Sequence, residues 1–199
     1  MDKQIIFKAN KISRTIVKNN IIKIYSQTNK TDKQNWYADA LLFCRYLSDK
    51  HKIPLNNVIG VVSALSPRKN WELNKKIAED LLIDGTCGHM KVFINKAKDI
   101  LNVDTEYEIL QVLNGKKIKS FYLNIRYPNR IGTVTVDRHA IAVAIGRNAT
   151  DAELALTDKQ YKFFEDCYKW TAEIVGITPQ LLQAITWETW RKNKTKTVS

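Results

Sequence analysis

From Trp36 to Arg191 the apolar residues recur at helical spacing in one segment after another, and a single stretch, RIGTVTV at 130–136, alternates as a strand does. One short strand-like run has nothing to pair with in a sheet, so the pattern predicts an all-α or mostly α fold. Trp36, Ala40, Leu41, Phe43, Cys44 and Leu47 form one stripe that stops before Pro54, and Phe93, Ala97, Ile100 and Leu101 form another. Ile12, Ile16, Ile21, Ile22 and Ile24 give a more irregular one. The punctuation agrees. Asn70 is placed to cap NWELNKKIAEDLLIDG and Gly85 to close it, and Thr105 and Glu108 have the spacing of a capping box. Pro179 opens a last helix whose basic end, RKNKTKTVS at 191–199, is expected to fray. With no repeats and no low-complexity linkers, residues 1–199 are expected to form one unit, of two lobes at most.

Charge narrows the partner. Lys and Arg number 32 against 20 Asp and Glu, a formal net charge of +12, and the resulting field favours polyanions, of which nucleic acid is the simplest. No run of 18 apolar residues exists, and MDKQIIFKANK sets an acid and lysines around only three apolar positions. Neither a membrane span nor a signal peptide is therefore expected, which points to the cytoplasm. Cys44, Cys87 and Cys167 are odd in number and far apart, the pattern of reduced thiols. Cys87 and His89 could supply two metal ligands, but no second pair follows at usable spacing, and neither a metal nor a cofactor is expected.

One acid is conspicuous. Asp137 is the only carboxylate between Glu108 and Asp151, and six Lys and Arg residues lie from Lys116 to Arg138. Placed before RHAIAVAIG, it is in position to cap a helix, a role worth about 1 kcal/mol. Upstream, TEYEILQVLNGKKIKSFYLNI reads as two short amphipathic helices interrupted at NGKK, with Gly115 in the bend. A glycine there allows a positive φ and close backbone approach, leaving N–H groups of the second helix to hold a phosphate, while Lys116, Lys117 and Lys119 add charge. An ordinary αα-hairpin with a solvated lysine loop would carry the same pattern.

These segments, in this order, resemble the helix-hairpin-helix DNA glycosylases of the endonuclease III type. That family's pattern is Leu-Pro-Gly-apolar-Gly-x-Lys followed by Val-Asp-x-His. Leu113, Asn114, Gly115 and Lys119 stand at the corresponding offsets of the first motif. Val136, Asp137, Arg138 and His139 form the second, with Asp137 18 residues after Lys119. Upstream, VVSALSPRKNWELNK and FINKAKDIL are similar to the family's Leu-Leu-Ser-Ala and Tyr-Asn-x-Lys-Ala-x-x-Ile segments, so the likeness covers roughly residues 58 to 147. The chain departs from the pattern at Asn114, where the family has proline, at Lys117, where it has a second glycine, and at Leu65, where relatives carry a polar residue that enters the DNA stack. The four-cysteine iron-sulfur pattern near the C-terminus is absent, only Cys167 lying there. The SALSP and ITWETWR stretches in so short a chain are also similar to bacteriophage proteins, so the member implied is a small one without a cluster.

The resemblance implies two helical lobes with a cleft between them: a central lobe about 57–136 containing the helix-hairpin-helix 106–125, and a second built from 1–56 and 137–190. It implies a DNA N-glycosylase, with possible AP-lyase activity, that extrudes a damaged or modified base from double-stranded DNA into a pocket during base-excision repair. Asp137 would stabilise the oxocarbenium-like state at the sugar, and Lys119 would be the amine that attacks the sugar carbon. Asn114, Gly115, Lys116, Lys117, Arg138 and His139 would contact DNA, and Trp71, Tyr122, Trp187 and Trp190 are stacking candidates. His139 reads first as a satisfied structural histidine. Two rivals stand beside the glycosylase: a DNA-binding protein on the same scaffold without the chemistry, and a phage enzyme that processes modified bases.

Overall fold

The computed structural model describes residues 2–7, 10–28, 35–130 and 132–196. Among these the chain is mostly helical, with eleven α-helices and one two-stranded hairpin. The hairpin pairs β1 (Gln4–Phe7) with β2 (Asn10–Ser13) antiparallel, Gln4 opposite Ser13 and Phe7 opposite Asn10. The irregular stripe expected from Ile12 onward thus divides: Ile12 belongs to β2, and α1 (Arg14–Ser26) buries Val17, Ile21 and Ile24 while Ile16 is exposed. Conversely, residues 132–136 of RIGTVTV belong to no strand.

The chain divides into two compact units, Tyr37–Pro128 and a discontinuous one made of Met1–Trp36 with Asn129–Ser199. The boundaries therefore differ from the expected 57–136, because the second helix, α2 (Trp36–His51), falls almost entirely with the central unit.

In the central unit α3 (Leu55–Leu65) is the core element, every residue from Asn57 to Leu65 being buried. Around it lie α4 (Trp71–Asp84), α5 (Lys91–Leu101), α6 (Glu106–Leu113) and α7 (Lys116–Arg126). The signals that were expected to bound them operate: the Asn70 side chain accepts from the Leu73 N–H, Gly85 closes α4 at φ 67°, and Thr105 with Glu108 makes a reciprocal capping box. Gly60 permits the close approach of α3 to its neighbours. A Cβ there would meet Ile100 Cγ2 at 2.7 Å and Ile109 Cγ2 at 3.0 Å, both on stiff β-branched side chains. Gly60→Ala should accordingly destabilise the protein by about 1–2 kcal/mol, overpacking exceeding the gain in helix propensity, as read from the midpoint of urea unfolding.

In the discontinuous unit α1 packs against α8 (Arg138–Ile145), α10 (Asp158–Val175) and α11 (Pro179–Lys196), with the single-turn α9 (Asp151–Leu154) between α8 and α10 in sequence. Its core joins Ile5, Phe7 and Ile12 of the hairpin to Val134, Val136, Phe163, Phe164 and Tyr168. The basic end that was expected to fray instead continues α11 as far as Lys196, and 197–199 lie outside the described residues. No helix among the described residues is long and apolar enough to cross a membrane. Cys44, Cys87 and Cys167 are free thiols, and burial pushes those of Cys44 and Cys167 up to about 12.

Candidate functional site

The residues singled out in the sequence fall at two turns, one in each unit. In the central unit α6 ends at Leu113, Asn114 and Gly115 make the bend, and α7 begins at Lys116. Asn114 has φ 43° and Gly115 φ 83°, so the position of the family's proline holds an asparagine in the left-handed half of φ space, which proline cannot enter. With ψ 142° Asn114 lies outside the left-handed helical well that asparagine tolerates, so the backbone is strained at this residue, while the glycine beside it takes its positive φ without cost. Gly115 brings no side-chain cap to α7, and the first turn of α7 holds no acid. Asn114, Gly115, Lys116 and Lys117 are exposed. An uncapped helix start carrying positive charge suits an anion.

Three contacts fix this bend. Lys96 Nζ donates to the Leu113 carbonyl at 3.2 Å, placing a cation on the C-terminal end of α6. Tyr127 Oη donates to Glu106 at 2.8 Å, tying the C-cap of α7 to the first residue of α6. Arg126 Nε donates to Asn56 at 2.7 Å, anchoring α7 to the start of α3. Lys96 was legible only as part of FINKAKDIL, and its role in closing α6 is a tertiary one. Lys119, in the first turn of α7, is half-buried, and its Nζ makes no hydrogen bond or ion pair with the described residues. Tyr122, a stacking candidate, is instead fully buried core, its hydroxyl held well above the usual tyrosine range by burial first and by Glu106 second.

In the discontinuous unit Asp137 caps α8. Its Oδ1 accepts from the His139 N–H at 3.0 Å and the Ala140 N–H at 2.8 Å, as the capping reading requires. The other oxygen, Oδ2, enters no hydrogen bond or ion pair with the described residues, and the side chain is half-buried. One oxygen thus fixes the carboxylate and the other is available to act.

The segment leading into Asp137 explains why a strand-like sequence makes no strand. Its backbone groups are satisfied by α10 side chains. Tyr161 Oη donates to the Val134 carbonyl at 2.9 Å and accepts from the Val136 N–H at 3.2 Å, while Glu165 Oε1 accepts from the Val134 N–H at 3.3 Å. Tyr168 Oη donates to the Ala140 carbonyl at 3.1 Å. At the far end of α8, Asn20 donates to the Ala144 carbonyl at 2.9 Å and Gly146 closes the helix at φ 74°. Replacing Tyr161 by Phe leaves two buried backbone groups without that partner, so a loss of about 2–6 kcal/mol in chemical unfolding is expected, each such group costing about 1–3 kcal/mol.

Of the remaining candidates, Arg138 is exposed and His139 is half-buried, with its ring 6.1 Å from that of Trp187. Trp187 also meets Trp36 edge-on at 5.5 Å and the Arg191 guanidinium at 5.3 Å. Trp71 packs edge-on against Phe43, and Trp190 lies against the core of the discontinuous unit. Asp137, Arg138 and His139 thus stand at one short helix start, while Asn114, Gly115, Lys116, Lys117 and Lys119 stand at the bend in the other unit.

These features define a basic, mostly helical protein in which one compact unit is inserted in the sequence of another, each with a helix start bearing polar side chains. The chain belongs to the family described as Family of unknown function (DUF7178), whose model matches residues 3–194. No curated protein and no solved structure matches it.

Proposed function

We propose that this protein is a DNA-acting enzyme of the helix-hairpin-helix glycosylase kind, releasing a damaged or modified base from duplex DNA. The observation that carries the proposal is the Asp137 carboxylate: one oxygen is locked by two backbone N–H groups, and the other is left without a partner among the described residues. A cap needs only the first. A carboxylate beside a developing oxocarbenium ion needs a fixed position and a free oxygen, because the stabilisation comes from charge that does not have to reorganise. The turn at Asn114 and Gly115, with its uncapped α7 start and Lys116 and Lys117, supplies a holder for a backbone phosphate. Lys119 supplies an amine for a Schiff-base route, which would add strand cleavage to base release.

The capping bonds themselves favour a second reading, a DNA-binding protein without chemistry, since they give Asp137 a sufficient structural reason to be there. The deciding experiment incubates the protein with duplexes carrying damaged and phage-type modified bases and scores base release and strand cleavage separately from affinity. Base release on any of them supports the enzyme; tight binding with no release across the panel leaves the binding protein. In the same assay affinity should fall steeply with salt, and replacing Lys116 and Lys117 by Gln should flatten the log–log slope by roughly one to two units. An affinity indifferent to salt would remove DNA as the partner.

A further inference from the structure

Trp187, on α11 of the discontinuous unit, is half-buried and gathers three groups around its indole. The Trp36 ring meets it edge-on at 5.5 Å, the His139 ring lies 6.1 Å away, and the Arg191 guanidinium, one turn further along α11, sits over it with its carbon 5.3 Å from the ring. His139 belongs to the first turn of α8, so this one indole links the helix start that carries Asp137 to a guanidinium on the basic end of α11. A guanidinium held on an aromatic face differs from one held by a carboxylate. An ion pair uses the N–H donors and cancels the charge, whereas a stacked guanidinium keeps its charge and leaves the donor fork at its edge open. Arg191 is exposed, and its guanidinium makes no hydrogen bond or ion pair with the described residues.

The backbone of α8 cannot hold a phosphate in its place. The His139 and Ala140 N–H groups of its first turn already go to Asp137 Oδ1, and the Asp137 carboxylate repels a phosphate set on the helix axis. A DNA strand brought to Asp137 therefore has to be gripped by side chains beside that helix start. Glu188, the only acid of α11, stands four residues before Lys192, the spacing at which a helix pairs opposite charges, and Arg191 is outside that pairing. We propose that Arg191, held on Trp187, is a phosphate ligand for the DNA strand presented to Asp137, acting with the exposed Arg138 at the same helix start. The planar guanidinium fork matches phosphate oxygens, and its stacking removes part of the entropy cost of ordering it. The proposal rests on the reading of the protein as DNA-acting and adds to it a residue outside both sequence motifs; it requires binding and not base release.

The probe is a short duplex carrying a tetrahydrofuran abasic analogue, which offers no base to release, so affinity is read without chemistry. Arg191→Gln should melt as the unaltered protein does, because the side chain is exposed and its loss strands no partner. Its affinity should fall roughly tenfold and its log–log salt slope should flatten by about one unit. With single phosphates made neutral as methylphosphonates, the unaltered protein should lose affinity at a phosphate beside the abasic position, and Arg191→Gln should no longer register that substitution. Folded Arg191→Gln with unchanged affinity and slope overturns the proposal, and leaves the DNA reading standing where Lys116 and Lys117 still set the slope. A flattened slope with every methylphosphonate position still registering overturns it as well, since Arg191 then grips no fixed phosphate. An unaltered protein that binds no duplex removes the proposal and the DNA reading together.

Discussion

Asp137→Asn is expected to bind duplex DNA within about twofold of the unaltered protein while base release falls on the order of a hundredfold or more. On the proposed reading the two effects separate because one oxygen caps α8 while the other carries the charge that would act on the substrate. Oδ1 accepts from His139 and Ala140, and an asparagine carbonyl oxygen can accept both bonds, Asn being as good a cap as Asp. The supports upstream are untouched: Tyr161 still bridges Val134 and Val136, and Glu165 still takes the Val134 N–H. What disappears is the negative charge. A hundredfold loss corresponds to about 2.7 kcal/mol of transition-state stabilisation, within the range seen when one preorganised electrostatic group is removed. Single-turnover base release, run beside an affinity measurement and a melting curve, reads the three quantities apart. Equal turnover by Asp137→Asn and the unaltered protein would return Asp137 to the role of helix cap.

How far this could be seen in the sequence depends on the distance over which each signal acts. The caps at Asn70, Thr105 and Asp137 and the stop at Gly85 were legible because a cap is decided within three or four residues of itself. The bend at Gly115 was legible for the same reason, although the positive-φ asparagine that precedes it was visible only as a departure from a proline. One strand pairing, that of QIIF with NKIS, was missed, whereas RIGTVTV, expected to find nothing to pair with, joins no strand. In QIIF the alternation is real, Ile5 and Phe7 being buried, but Ile6 faces outward at 67% exposure and makes the segment look uniformly apolar. In TVTV the alternation is equally real, with Val134 and Val136 in the core, yet the backbone partners are Tyr161 and Glu165, roughly 30 residues further on. A side chain that substitutes for a strand leaves no periodic trace. The same holds for Lys96 at Leu113 and Arg126 at Asn56, which hold the bend from other helices. The residue types at the two turns were therefore readable, while the contacts that fix them were not.

Lys119→Gln is expected to abolish the borohydride-trapped complex with DNA containing abasic sites while leaving the fold intact. Lys119 sits in the first turn of α7, where its N–H donates to the Gly115 carbonyl at 3.2 Å, a backbone bond that glutamine makes equally well. Its half-buried Nζ enters no hydrogen bond or ion pair with the described residues, so removing the amine strands no buried partner and should cost less than about 0.5 kcal/mol of stability. The chemical loss is complete by contrast: a carboxamide cannot form the imine that borohydride reduces, and no partial activity on that route survives. Base release discriminates further. If water is the nucleophile and Lys119 only a DNA contact, Lys119→Gln keeps base release with a modest loss of affinity, and the unaltered protein shows no trapped species at all. If Lys119 is the nucleophile, trapping, strand cleavage and base release fall together. A trapped complex persisting in Lys119→Gln would assign the amine to another lysine, with Lys116 and Lys117 the next to replace, and would detach the first sequence motif from the chemistry while leaving Asp137 to be judged by its own variant.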